Sequence, residues 1–235
     1  MQTEPPTIIN YGFPTASLTP NVERWFIFYD GLTRWGFDKQ PIARIATKVP
    51  SISDGDWKVN SDGSMDVTWK MRNDVYWHDG HQLTADDFIF GWKVALDNKL
   101  AVVPVGDLVK ITDMKKIDDF SFVAHWKSTS MWANANEREG IPAVPKHILG
   151  DLYDSKDYIA MDNSPWSNSE FIGLGPFKLV AFNVGTYWEA AGFDKYYAGK
   201  PKIDKLFLHW VPDVNVLNAQ ILAGAIDLEI GRAHV

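Results

Sequence analysis

The stretch from Asp54 to Leu96 changes from a strand-like to a helix-like hydrophobic period, and this change constrains the fold more than any other feature. In SMDVTWKMR, apolar and polar residues alternate, which predicts a half-buried strand, and the preceding NSDGS predicts a hairpin turn. After Thr84 the apolar residues recur at helical spacing instead. The alternating residues are Met65, Val67, Trp69 and Met71, and the helical ones are Phe88, Trp92, Ala95 and Leu96. The pattern is typical of a mixed α and β fold.

Other segments add elements of both kinds. TPNVERWFIFYDGL predicts a helix that Thr19 caps and Gly31 ends, with Val22, Trp25, Phe26 and Tyr29 on one face. A second alternating run, KKIDDFSFVAHWKS, makes residues 46–130 look largely antiparallel with at least one inserted helix. TIINYGF and KLFLHWV are expected to be buried strands, and SNSEFIGLGPFKLVAF a turn followed by a strand. DVNVLNAQILAGAIDL predicts a helix that stops at Gly224.

Tryptophan is unusually frequent, since the 235 residues include 11 Trp. Large core residues are one interpretation, and flat surfaces that stack on sugars or peptide side chains are the other. Trp166 lies in a Pro/Ser-rich loop and is expected to be exposed.

The net charge of −7, without a basic cluster, argues against nucleic acid as a partner. The absence of Cys excludes disulfides and thiolate metal sites.

The stretch WHDGHQLTADDFIFGW concentrates two histidines and three aspartates, which raises the question of a metal or acid–base site. A helical metal site needs ligands three or four positions apart on one face. His78 and His81 are three apart, but Asp79 and Gly80 between them form a strong turn signal, so the two histidines cannot share a helix face. The acidic residues after Thr84 fit helix-capping chemistry. The turn-and-cap interpretation is therefore preferred to a metal site.

Enzyme signals are weak elsewhere too. The sequence contains no Gly-x-Ser-x-Gly motif, no phosphate loop and no dinucleotide fingerprint. The GLGPF segment leads into a strand, so it cannot present a helix N-terminus to a phosphate. Asp118 and Asp119 lie in a turn, and His147 is expected at the surface near a helix start. The residues alone favour a binding protein over an enzyme, with no cofactor and no metal.

The segment DGDWKVNSDGSMDVTWKMRNDVYWHDGHQLTADDFIFGWKVALD resembles the signature of the family 5 extracellular solute-binding proteins, the receptors of ABC importers for peptides, nickel and oligosaccharides. The matching positions are Trp69, Arg72, Trp77, Asp79, Gly80, Thr84, Ala85, Asp86, Asp87 and Trp92. The segments ASLTP, VPKHIL, GLGPFKL and YYAGKPKIDKLFLHWVPDVNVLNAQILAGAIDL follow in the family's order, although Leu174 replaces the usual Thr. The resemblance extends from about residue 8 to residue 228.

The resemblance implies lobe I of a type II (class C) periplasmic-binding-protein fold, α+β, with an inserted antiparallel subdomain and without the second lobe. Residues 1–45 and 168–228 would form the lobe core, and residues 46–167 the insertion. Residues 229–235, EIGRAHV, look like translated adapter sequence and are expected to be partly or wholly non-native. Resequencing across codon 229 tests this, because a native stop codon there would contradict it.

The resemblance also implies a ligand site in the loop after the first strand, with Phe13 as the strongest candidate. The expected ligand-binding residues there are Tyr11, Gly12, Phe13, Pro14 and Ala16, whose backbone groups can pair with an extended ligand. Trp132 lies outside the alternating pattern and is a further candidate for the cleft. Hinge packing is the alternative role for Phe13, and a buried plug is the alternative for Trp132.

The expected function is substrate binding for an ABC importer. The receptor would capture oligopeptides between two lobes and deliver them to a membrane permease. An oligosaccharide receptor of the same family is the first alternative. The second is a hydrolase, for which no catalytic set is visible; a structural or adhesion domain is also open. The family implies a monomer in the periplasm or outside the cell, and lipid anchoring is left open. A chain with one lobe is expected to bind ligand weakly or not at all.

Overall fold

The computed structural model describes residues 20–100, 106–137 and 140–229. The helices are α1 (Pro20–Phe28), α2 (Ala85–Leu96), α3 (Lys146–Asp154), α4 (Tyr158–Asp162) and α5 (Val214–Leu222), with 3-10 turns at Leu108–Lys110 and Pro165–Ser167. The strands are β1 (Thr33–Trp35), β2 (Pro41–Ala43), β3 (Trp57–Val59), β4 (Met65–Lys70), β5 (Ile111–Asp118), β6 (Ser121–Trp126), β7 (Phe177–Asn183), β8 (Tyr187–Gly192) and β9 (Lys205–His209). The mixed α and β class is confirmed.

A four-stranded antiparallel sheet, in the order β3-β4-β6-β5, forms from the two alternating runs. Met65, Val67 and Trp69 of β4 are buried, and their partners across the ladder are Trp126, Ala124 and Phe122 of β6. Because side chains alternate between the two faces of a strand, these six residues line one apolar face. α2 packs on this face, where the rings of Phe88 and Phe122 stack with centroids 5.6 Å apart. The predicted strand and helix pattern of residues 46–130 is therefore confirmed.

Two smaller sheets flank this unit in the sequence. β1 and β2 form a hairpin, and β7, β8 and β9 form a three-stranded antiparallel sheet in that order. α1 ends at Phe28, before the predicted stop at Gly31. A Cβ at Gly31 would lie 2.7 Å from the backbone oxygen of Asn136, so close packing rather than helix termination requires glycine there. The predicted first strand, TIINYGF, lies outside the described residues.

Two expectations about burial are wrong. Trp166 is only 2% exposed, because its 3-10 turn directs the indole against Phe171 and lets it donate to the backbone oxygen of Ile172 at 2.9 Å. β9 is a strand but is not buried, since it lies at a sheet edge and its residues alternate between exposed and partly exposed.

No helix in the described part of the chain combines the length and apolar character needed to cross a membrane.

Candidate functional site

The histidine- and aspartate-rich stretch forms the predicted turn and helix start. The Gly80 amide donates to the Trp77 carbonyl at 2.8 Å, and the φ of Gly80 is +95°, a value that side-chain-bearing residues rarely adopt. α2 then begins at Ala85, and the Thr84 amide donates to the Asp87 carboxylate at 2.9 Å. The interpretation of these acidic residues as capping groups is confirmed.

His78 joins this turn to the GLGPF segment. Its Nδ1 accepts from the Gly173 amide at 3.1 Å, so Nε2 carries the proton and donates to the Gly175 carbonyl at 3.0 Å. Burial of the ring lowers the pKa of His78 to about 4, which keeps the imidazole neutral at physiological pH. His78 thus holds two motifs of the chain together and has both ring nitrogens occupied.

The glycines of the GLGPF segment allow it to cross the end of α1 closely. A Cβ at Gly173 would lie 2.0 Å from the backbone oxygen of Phe28, and one at Gly175 would lie 2.4 Å from the Phe28 carbonyl carbon. The amides of Leu174 and Gly175 both donate to that Phe28 oxygen. The segment therefore acts as a packing joint between α1 and β7.

The remaining signature residues also have structural roles. Trp77 is fully buried, and Trp92 packs partly buried against the core. Arg72 pairs through two nitrogens with Asp74, at 2.8 and 2.6 Å, and its guanidinium lies 5.1 Å from the Tyr197 ring. These contacts position the turn, the strand end and α2.

A cluster that the sequence did not predict forms where α3 meets the turn. The Asp79 carboxylate oxygen Oδ2 lies 3.1 Å from His81 Nδ1 and 2.8 Å from His147 Nε2. Partial burial raises the pKa of Asp79, but hydrogen bonds from the His81 amide and from His147 outweigh it and lower the pKa overall. His147 lies far from the turn in sequence, so no local spacing could have revealed the cluster.

Trp132 lies beside an open groove, together with an aromatic partner that the sequence did not single out. The Trp132 side chain is 55% exposed and Trp35 is 39% exposed, and their rings meet edge to face with centroids 5.3 Å apart. Trp35 follows a buried Thr33 on β1, and nothing in the sequence distinguishes it from a core tryptophan. The two indoles offer an apolar surface that an extended or ring-shaped ligand can contact.

The groove has a volume of about 360 Å³ and contains polar groups beside the indoles. Asp107 accepts from the Ser130 hydroxyl at 2.5 Å and lies 2.9 Å from Lys110 Nζ, and these two partners lower its pKa. The side-chain oxygen of Asn136 is buried and has no hydrogen-bond partner among the described residues.

The other candidate ligand residues cannot be compared with this groove. Tyr11, Gly12, Phe13, Pro14 and Ala16 all lie outside the described residues. Trp132 is therefore the one predicted ligand contact that has a described position, and Trp35, Asp107 and Asn136 join it there.

Comparison with known proteins identifies relatives over most of the chain. Residues 46–233 match the family described as bacterial extracellular solute-binding proteins, family 5 Middle. The oligopeptide-binding protein AppA of Bacillus subtilis is 27% identical over 224 residues, which cover 94% of this chain and 38% of AppA. A putative ABC transporter peptide-binding protein of Brucella ovis is 25% identical over 166 residues, which cover 71% of this chain and 30% of that protein.

Solved structures share the fold. AppA in complex with a nonapeptide has a TM-score of 0.79 at 24% identity, with 95% of this chain and 41% of that chain covered. The oligopeptide-binding protein of Thermus thermophilus, complexed with a pentapeptide, has a TM-score of 0.80 at 18% identity, covering 96% and 42% respectively. The chain thus spans less than half the length of these relatives. Because the family match covers well over half of the chain, this chain belongs to the bacterial extracellular solute-binding proteins of family 5.

Proposed function

We propose that this chain is part of the substrate-binding receptor of an ABC importer, and that its ligand is an oligopeptide. The observation that carries this proposal is the exposed Trp35–Trp132 pair at an open groove that Asp107 and Asn136 also line. AppA and the Brucella protein, both named as peptide binders, support the peptide assignment. The family supports a transport receptor rather than an enzyme, acting in the periplasm or outside the cell.

Oligosaccharide binding is the weaker alternative, because the large number of tryptophans is explained mainly by packing. Six of the 11 Trp belong to the buried core: Trp25, Trp69, Trp77, Trp126, Trp166 and Trp188. Trp35 and Trp132 are the ones with more than a third of their surface exposed. The high count is therefore mostly a packing feature, and one exposed pair suits a peptide side chain as well as a sugar ring.

Several finer statements belong to the same proposal. The receptor would work as a monomer, take ligand into a cleft between two lobes and deliver it to a membrane permease. Residues 1–45 and 168–228 would contribute to the core of lobe I, and residues 46–167 would form its inserted subdomain. Trp35 and Trp132 would line the first lobe's side of the cleft. Tyr11, Gly12, Phe13, Pro14 and Ala16 would also contact the ligand.

The test uses calorimetric titration of the full-length gene product with defined pentapeptides and nonapeptides, and separately with oligosaccharides of similar size. We expect saturable binding of peptides and no binding of sugars. Binding of sugars alone would replace the peptide assignment with the oligosaccharide alternative. Binding of neither ligand, together with turnover of a chromogenic substrate, would support a hydrolase.

The groove is tested by Trp132→Ala, with Phe207→Ala as the matched control. Loss of an exposed aromatic anchor should weaken peptide binding by about tenfold or more, since such anchors contribute about 2 kcal/mol. Phe207 is similarly exposed, at 53%, but lies on β9 and does not line the groove. Equal peptide affinities of the two variants would show that Trp132 does not contact the peptide.

The isolated chain should bind peptides weakly, and nanomolar affinity would contradict the two-lobed cleft.

A further inference from the structure

Three groups with the chemistry of metal ligands converge at the turn before α2. One ring nitrogen each of His81 and His147 and a carboxylate oxygen of Asp79 all lie within 4.8 Å of one another. Asp79 Oδ2 is 3.1 Å from His81 Nδ1 and 2.8 Å from His147 Nε2. Ligands of one tetrahedral ion with bonds of about 2.0–2.2 Å lie about 3.3–3.6 Å apart, close to these two distances. The two imidazole rings are stacked with centroids 4.0 Å apart, so they must turn apart to direct both nitrogens at one ion.

The backbone around the three residues is fixed by contacts that do not involve the metal-ligating atoms. The Trp77 amide donates to the His81 carbonyl at 2.8 Å, and the His81 amide donates to Asp79 Oδ1 at 3.0 Å. The α3 start is tied to α2, because the Lys146 amide donates to the buried Asp87 carboxylate at 3.0 Å. A site with its ligands held on anchored elements loses little entropy when an ion binds.

We propose that Asp79, His81 and His147 bind a divalent transition-metal ion of the Zn²⁺ class. Imidazole nitrogens combined with one carboxylate suit Zn²⁺, Ni²⁺ and Cu²⁺ better than Ca²⁺ or Mg²⁺, which prefer oxygen ligands. The ion takes the position that the two imidazole protons now occupy against Asp79. Three protein ligands leave at least one coordination position for water or a second ligand.

The other described histidines lack such a set. His78 has both ring nitrogens bound to the backbone of Gly173 and Gly175. His125 has one carboxylate partner, Asp66, at 2.8 Å, and no second histidine in that pair. None of the three proposed ligands lines the groove of Trp35 and Trp132, so the metal site does not depend on the proposed peptide function.

The experiment is a calorimetric titration of the untagged, chelator-treated chain with ZnCl₂. Removal of any histidine tag is essential, because the tag itself binds the ion. We expect saturable Zn²⁺ binding, and we expect the ring resonances of His81 and His147 to shift in NMR spectra during the titration. Absence of saturable heat would overturn the proposal.

Two variants and one matched control assign the binding to the cluster. His81→Ala and His147→Ala should each weaken Zn²⁺ binding by at least about tenfold. Loss of a residue that merely hydrogen-bonds to a metal ligand already lowers metal affinity by about tenfold or more, and loss of the ligand itself should lower it at least as much. The His81 side chain is 62% exposed, so its variant should fold normally. His125→Ala removes a partly exposed histidine that also pairs with a carboxylate, and this variant should bind Zn²⁺ within about twofold of the parent. Unchanged affinity in His81→Ala, or an equal loss in His125→Ala, would refute the site.

Discussion

Burial keeps the ring of His78 neutral, and two backbone groups use both of its nitrogens. The Gly173 amide donates to Nδ1, and the Gly175 carbonyl accepts from Nε2. Protonation of Nδ1 would break the first bond and place a charge inside the joint between the turn and the GLGPF segment. The sequence predicted the turn around His78 but could not predict this bond, because its partners lie 95 and 97 positions away.

This arrangement predicts a loss of stability in mild acid. His78 titrates with a pKa of about 4 in the folded chain and about 6.5 when unfolded. As the pH falls from about 6.5 to about 4, the unfolded state takes up a proton that the folded state does not, so the free energy of unfolding should fall by up to about 3 kcal/mol. Urea titrations at several pH values, with a chelator present, measure this.

His78→Gln should be less stable at neutral pH but should lose less further stability on acidification. His209→Gln is the matched control, because His209 is exposed on β9. That variant should retain the parent's pH dependence. If the free energy of unfolding of His78→Gln falls with decreasing pH as steeply as that of the parent, other groups cause the acid sensitivity.

Asp87 couples α2 to α3 through one carboxylate. Oδ2 accepts from the Thr84 amide at 2.9 Å, and Oδ1 accepts from the Lys146 amide at 3.0 Å. Burial raises the pKa of Asp87 overall, and hydrogen bonds from these two amides offset part of that rise because they favour the charged form. The sequence predicted the capping role of this residue, but the bond to α3 depends on how the two helices pack.

Asp87→Asn should therefore destabilise the chain more than the same change one residue earlier. An amide side chain has one oxygen, so one of the two backbone donors loses its acceptor, at a cost of about 1–3 kcal/mol. Asp86→Asn removes the same charge from the same helical turn, but Asp86 is 40% exposed and pairs with Lys116 at the surface, so it should cost about 1 kcal/mol or less. Urea denaturation, monitored by circular dichroism, compares the stabilities of the two variants. Equal losses of unfolding free energy would contradict the role of Asp87 in joining α2 to α3.

β9 and α5 illustrate why segment hydrophobicity predicted element type but not burial. Both elements form where expected, and α5 ends before Gly224, whose φ is +69°. Neither is buried, however, and α5 contains no buried residue. The apolar residues that remain exposed here are Phe207, Val214, Val216, Ile221, Leu222 and Leu228. A periodic pattern shows which face is apolar, whereas burial depends on what packs against that face.

Distant parts of the molecule meet at the buried carboxylate of Asp30. It accepts from Arg44 at 2.9 Å, from the Tyr196 hydroxyl at 2.8 Å and from the Tyr197 hydroxyl at 2.7 Å. The side chain of Asp30 is fully buried, so these donors supply the hydrogen bonds that water cannot. Burial raises the pKa of both tyrosines, to about 12 for Tyr196, so both remain hydrogen-bond donors at physiological pH.

Tyr197→Phe should lower the free energy of unfolding by about 1.5–3 kcal/mol, because it removes a donor to a buried charge. Tyr187→Phe, on β8, also removes one hydroxyl but not from this network, and it should change stability by less than about 0.5 kcal/mol. Chemical denaturation of both variants provides the measurement. If Tyr187→Phe lowers the free energy of unfolding as much as Tyr197→Phe does, the hydrogen bonds to Asp30 do not account for the loss.

The sequence by itself determined the element types, the antiparallel pairing of residues 46–130, the turn at Gly80 and the α2 cap, because each follows from local periodicity or backbone geometry. The motifs also identified the family. Only the tertiary structure decided that Trp166 is buried, that Trp35 stands beside Trp132, and that His147 joins Asp79 and His81. These outcomes depend on contacts between residues far apart in the chain, and local sequence patterns do not record which distant surfaces will meet.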